Sequence, residues 1–131
     1  MLLAEVFRRN GGALVLFTDY CEKSFCDELV HCYQGIHDYK NSERTGEGEL
    51  QEAASRLFDI YLRYGSNQEV NASLEAIAQA QKDIKANSCS RASFDLLLAD
   101  ITPLLLQQLI LLKSSPQRDR LTALLKADSR F

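Results

Sequence analysis

Apolar residues recur at intervals of three and four along nearly the whole chain, and no sustained stretch alternates with period two. The pattern predicts an all-helical protein of about eight helices joined by short connections. The first carries Leu2, Leu3, Val6 and Phe7 and stops at Asn10-Gly11-Gly12. A second sets Leu14, Phe17 and Cys21 on one face. A third is expected over residues 25–39, with Phe25, Leu29, Cys32, Tyr33 and Ile36 as its stripe. Residues 40–49 are rich in Asn, Ser, Glu and Gly and lack a period, which predicts a loop. The fourth helix is expected over 50–64, where Leu50, Ala53, Ala54, Leu57, Phe58, Tyr61 and Leu62 fill a wide face. Gly65-Ser66-Asn67 ends it, since a glycine suits the position just past a helix. Asn71 then stands as an N-cap for a fifth helix bearing Leu74, Ile77, Ala78 and Ile84. That helix ends near Asn87-Ser88, and Ser90 or Ser93 caps the next.

The segment 93–113 departs from this amphipathic pattern. Phe94, Leu97, Leu98, Ile101, Leu104 and Leu105 make one stripe, but Leu106, Leu109, Ile110, Leu111 and Leu112 cover other faces. Pro103 lies inside and must kink the helix or restart it, because proline donates no amide hydrogen and crowds the preceding turn. Leu121, Leu124 and Leu125 mark a final short helix after Ser114-Ser115-Pro116. The spacing predicts a core in which Phe58, Tyr61, Ile77, Phe94 and Leu98 are buried together, while the surplus leucines of 104–112 either seal it or leave an outward patch.

At 131 residues, 46% hydrophobic and 25% charged, the chain suits one globular domain rather than a disordered segment. A net charge of −3 without a basic run argues against a nucleic-acid partner. The cysteines at 21, 26, 32 and 89 form no CxxC pair and no regular framework. Met1-Leu2-Leu3-Ala4 meets Glu5 and Arg8-Arg9 at once, too early for a secretory leader. These features predict a cytoplasmic domain with reduced thiols. The longest apolar run, 104–112, is interrupted by Gln107-Gln108 and falls well short of the roughly 20 residues a bilayer requires, so no transmembrane segment is expected.

Order and spacing narrow the fold further. Leu50, Ala54, Leu57-Phe58, Tyr61-Leu62 and Glu69-Val70-Asn71 resemble a signature of the regulator-of-G-protein-signalling (RGS) family: an alanine, an apolar-aromatic pair, another aromatic, then a loop ending in Val-Asn. Phe25-Cys26-Asp27-Glu28-Leu29-Val30-His31-Cys32-Tyr33, with Tyr39-Lys40 behind it, is similar to the family's S-E-E-N-x-x-F-W segment and its trailing aromatic-Lys. Phe94-Asp95 sits where the family opens its long penultimate core helix. The resemblance spans residues 2–127. It implies a single domain over 1–131 with two lobes: an antiparallel four-helix bundle over about 25–112, and a second lobe built from both chain ends.

What the resemblance implies about function is the binding of Gα subunits without an active site. Such domains hold the switch segments of Gα still, and Gα itself supplies the arginine and glutamine of the chemistry. The implied partner-binding positions are Glu28, Leu29, Asn71, Leu104, Gln108 and Leu112. Glu28 and Asn71 keep the family residue and Leu104 its contact leucine. Leu29 replaces an asparagine, Gln108 an acid and Leu112 the arginine that braces it. In a register with an insertion near Pro103, Ser114-Ser115-Pro116-Gln117-Arg118 resembles the family's D-S-Y-x-R and Arg118 is that arginine. These replacements predict weak or altered GTPase activation. A non-catalytic scaffold that keeps the fold is the alternative.

The residues have plainer roles to weigh beside these. Asn71 reads equally as an N-cap, and Glu28 as a solvated first-turn carboxylate on the helix dipole. Cys21, Cys26, His31 and Cys32 lack the paired spacing of a metal site, and read as core thiols with a surface histidine. His31 and His37 share one helix with no serine elbow, and the two glycines of Thr45-Gly46-Glu47-Gly48-Glu49 stand among acids that would repel a phosphate. No cofactor, metal or small-molecule substrate is therefore expected.

Overall fold

In the computed structural model, which describes residues 2–8, 10–42 and 47–128, seven helices and no strand are present among the described residues. They are α1 (Leu2–Arg8), α2 (Gly12–Lys23), α3 (Asp27–Asn41), α4 (Glu47–Tyr61), α5 (Leu74–Lys85), α6 (Asp95–Lys113) and α7 (Arg118–Asp128). The all-helical expectation holds. An eighth helix would have required a restart at Pro103, yet α6 runs through it. Ala99, whose carbonyl loses its amide partner to the proline, is exposed to water, and so is Pro103. One turn away, Thr102 Oγ1 donates to Leu98 O at 2.6 Å.

The chain divides into two compact units: Met1–Val30 with Pro103–Phe131, and His31–Thr102. In the first, α2 packs against α1 and α7. Its core includes Val6, Leu14, Leu16, Phe17, Leu105, Leu109, Leu112 and Leu121, each at most 5% exposed. Phe17 meets Phe7 edge-on, with ring centres 6.2 Å apart. The α2 N-terminus has Gly11 as its cap residue and no side-chain cap of its own. Asp128, at the far end of the chain, fills that role: its carboxylate accepts from Gly12 N at 3.1 Å and Ala13 N at 3.0 Å. A carboxylate there answers both the orphan amides and the helix dipole. Asp128→Ala is expected to cost about 1–2 kcal/mol, measured by urea unfolding; an unchanged midpoint would mean the clamp contributes nothing.

In the second unit α4 packs on α5. A Cβ on Gly35 of α3 would stand 3.1 Å from Leu57 Cδ2 and 3.5 Å from Tyr61 Cε2, so glycine is what lets α4 come this close. The expected aromatic cluster is only partly as read. Phe94 and Tyr61 are buried, whereas Phe58, Ile77 and Leu98 are half-buried. The centre lies instead at Ile36, Tyr39, Phe94, Leu97 and Ile101. Tyr39 meets Phe94 edge-on at 5.3 Å, and its hydroxyl donates to Ser90 O at 2.6 Å. Ser93, buried, accepts from Ser90 N and donates to Asp83 Oδ2, tying the turn before α6 to the end of α5.

Other boundaries also shift. α4 begins at Glu47, inside the expected loop, and ends at Tyr61, where Val70 N–H returns to cap the Tyr61 carbonyl at 2.9 Å. The rest of that loop, residues 43–46, lies outside the described residues. α6 is longer than the interrupted run suggested: with 19 residues and a mean hydropathy of 1.6 it has the length and composition to cross a membrane. Leu97, Ile101, Leu105, Leu109 and Leu112 form a stripe no more than 2% exposed along its whole length, the spacing of a core-facing helix.

Candidate functional site

Five of the implied contact positions, Glu28, Leu29, Leu104, Gln108 and Leu112, belong with Arg118 to the first unit, and Asn71 belongs to the second. The turn from α2 into α3 begins at Ser24, whose amide caps the end of α2. Phe25 N donates to Glu22 O at 3.0 Å and Cys26 N to Cys21 O at 2.9 Å. This tight return forces Phe25 to φ +58°, a left-handed conformation that costs a bulky L-residue on the order of 1 kcal/mol or more. Its ring is 90% exposed. Phe25 was expected on the buried stripe of α3; the helix starts two residues later and the aromatic stands outside it. Periodicity carried no signal of this, because a ring of the right type sat at the right interval.

Glu28 lies in the first turn of α3, half-buried, beside Asp27 at the positive end of the helix. Leu29 is 8% exposed and packs inward. Leu104 and Gln108 are half-buried, one helical turn apart on α6. Leu112, a further turn on, is 0% exposed and leaves a partner no side-chain surface. Arg118, the first residue of α7, is exposed.

Asn71 is not the N-cap of α5. Ser73 is, its hydroxyl accepting from Ala76 N at 3.1 Å while its own N–H donates to Asp100 Oδ2 at 2.9 Å. Asn71 is exposed, and its side chain makes no hydrogen bond to another described residue. The loop before it is pinned repeatedly. Gly65, at φ +82°, donates its N–H to Glu69 Oε1, Ser66 Oγ donates to Ile60 O, and Val70 is 5% exposed. His31, read as a surface histidine, is half-buried with Nδ1 2.9 Å from Gln68 Oε1, and so braces the same loop. The result is an amide side chain offered to solvent by a fixed backbone.

The thiols are those of a core rather than a reactive centre. Burial pushes Cys32 up to about 12 and raises Cys21 and Cys26, whose sulfurs share a hydrogen bond. Among the described residues no group of three or more His, Cys, Asp or Glu comes together to hold a metal. The first unit carries an outward aromatic, Phe25, with the half-buried Glu28 and Gln108, and the second unit offers the amide of Asn71 to solvent.

A family model described as the regulator of G protein signaling domain matches residues 3–109. The match takes in the helices from α1 to most of α6 and leaves out α7. No curated protein sequence matches the chain.

Proposed function

Because this chain belongs to the regulator-of-G-protein-signalling family, whose domains regulate G-protein signalling as GTPase-activating partners of Gα rather than as enzymes, we propose that it binds a Gα subunit and activates its GTPase weakly. Membership is the observation that carries this reading. Asn71 supports it: Ser73 has taken the capping role, and the exposed asparagine side chain makes no hydrogen bond to another described residue. Phe25 and Glu28 support it from the turn into α3, where a strained, outward ring adjoins a first-turn carboxylate. Backbone strain of this kind concentrates at functional sites.

Weak activation follows from what Leu29, Gln108 and Leu112 lack. Leu29 and Leu112 turn into the core, so neither gives a switch segment a hydrogen bond. Each polar group left unpaired in a dry interface costs about 1–3 kcal/mol, roughly 5- to 150-fold in rate. The test is single-turnover GTP hydrolysis by Gα subunits of each class, with and without the domain. Slow acceleration is expected, and Leu29→Asn with Gln108→Asp is expected to raise it. A parent domain that is already a strong activator, and is weakened by the double change, would refute the assignment of these positions. The same buried leucines favour a second reading, a scaffold that keeps the fold without Gα; the absence of binding to any Gα class would establish it over the first.

A further inference from the structure

We propose that the first unit carries a binding site for an anionic phospholipid of a membrane surface, in the cleft between α1, the end of α6 and α7. The cleft is open to solvent and offers about 650 Å³, within the size of ordinary ligand sites. Ile110, Leu121 and Leu125 give it an apolar wall, and Lys113, Arg118 and Lys126 stand around it with Glu5 as the one acid. Neither Lys113 nor Arg118 forms an ion pair with a described residue.

Charge complementarity selects the occupant. The chain as a whole is acidic, at −3, yet residues 103–131 hold five basic and two acidic side chains. Positive charge has thus been collected in the stretch that builds most of the cleft. Beside it α6 keeps large apolar side chains out of the core: Ile110 is 61% exposed, Leu111 47% and Leu106 37%. A phosphodiester headgroup answers the cations, and the glycerol and upper acyl chain answer Ile110 and Leu125. Free phosphate would leave the apolar wall unused, and a neutral lipid would leave the cations unused. Juxtamembrane basic residues beside exposed apolar groups bind anionic bilayers through these same two terms.

The test is co-sedimentation of the full chain with phosphatidylcholine vesicles, with and without phosphatidylserine; it requires no Gα, so it succeeds or fails independently of the function proposed above. Pelleting with the anionic vesicles alone is expected, weakening as salt rises. Lys113→Glu and Arg118→Glu are each expected to reduce it by about fivefold or more. Ile110→Ser, at an exposed position, is expected to remove the binding that survives high salt. Circular dichroism of each variant checks that the fold is retained. Equal pelleting with neutral vesicles, no pelleting with either, or charge variants that bind like the parent would overturn the proposal. So would loss of binding to millimolar inorganic phosphate with Ile110→Ser unaffected, which would make the cleft a site for the free anion.

Discussion

Phe94→Ala is expected to remove about 3–5 kcal/mol of stability, the loss typical of a large aromatic taken from a full core. Phe94 is 1% exposed, meets Tyr39 edge-on and stands directly before the first turn of α6. Its removal strips the apolar burial, leaves a cavity that the surrounding helices cannot close, and frees the Tyr39 ring. Ordinary domains hold only about 5–15 kcal/mol in all, so this one change takes a large share. Phe58→Ala is expected to cost clearly less, since Phe58 is only half-buried on α4. Urea melts of the two variants compare them. Equal losses would show that the core is centred on α4 rather than on Tyr39 and Phe94.

Leu112→Arg is expected to cost about 3–5 kcal/mol, and in a marginal domain to prevent folding. The change restores the family's arginine at the position matched without an insertion, so sequence likeness alone would rate it harmless. Physically it places a guanidinium where the side chain is 0% exposed, in the unit whose buried residues include Leu105, Leu109 and Leu121. A buried cation without a partner is among the costliest substitutions available. Arg118→Leu, at an exposed position, is expected to stay within about 0.5 kcal/mol of the parent. Thermal melts of the two decide it: if Leu112→Arg keeps the parent's midpoint, position 112 reaches solvent and its burial is misassigned.

The helical period made most elements legible because a two-sided environment writes itself into spacing. Leu14, Phe17 and Cys21 on α2, and Phe94, Leu97, Ile101 and Leu105 into α6, were readable as buried faces for that reason. Three features had no such signature. Phe25 fits the stripe of α3 by interval, and only the tight turn from Cys21 to Cys26 shows that the ring leaves the helix. Asn71 and Ser73 are both good capping residues two positions apart, and Asp100 on a distant helix settles the choice by receiving the Ser73 amide. Leu29 and Leu112 were legible as departures from the family pattern, but the inward packing that follows depends on neighbours far along the chain. Long-range partners, rather than local propensity, govern the residues that matter at the candidate surface.

The Asp128 clamp has a consequence for synthesis. Residues 31–102, a compact unit in themselves, are synthesised before any of α7 is made. Asp128 follows the Gly12 amide by 116 residues, which at about 5–20 residues per second is a delay of roughly 6 to 23 seconds. For most of it Leu14, Leu16 and Phe17 are already synthesised while the helix that packs against α2 does not yet exist. Until α7 is made, α2 lacks both the helix that packs against it and the carboxylate that caps its amino end, so this unit is completed only by residues from the other end of the sequence.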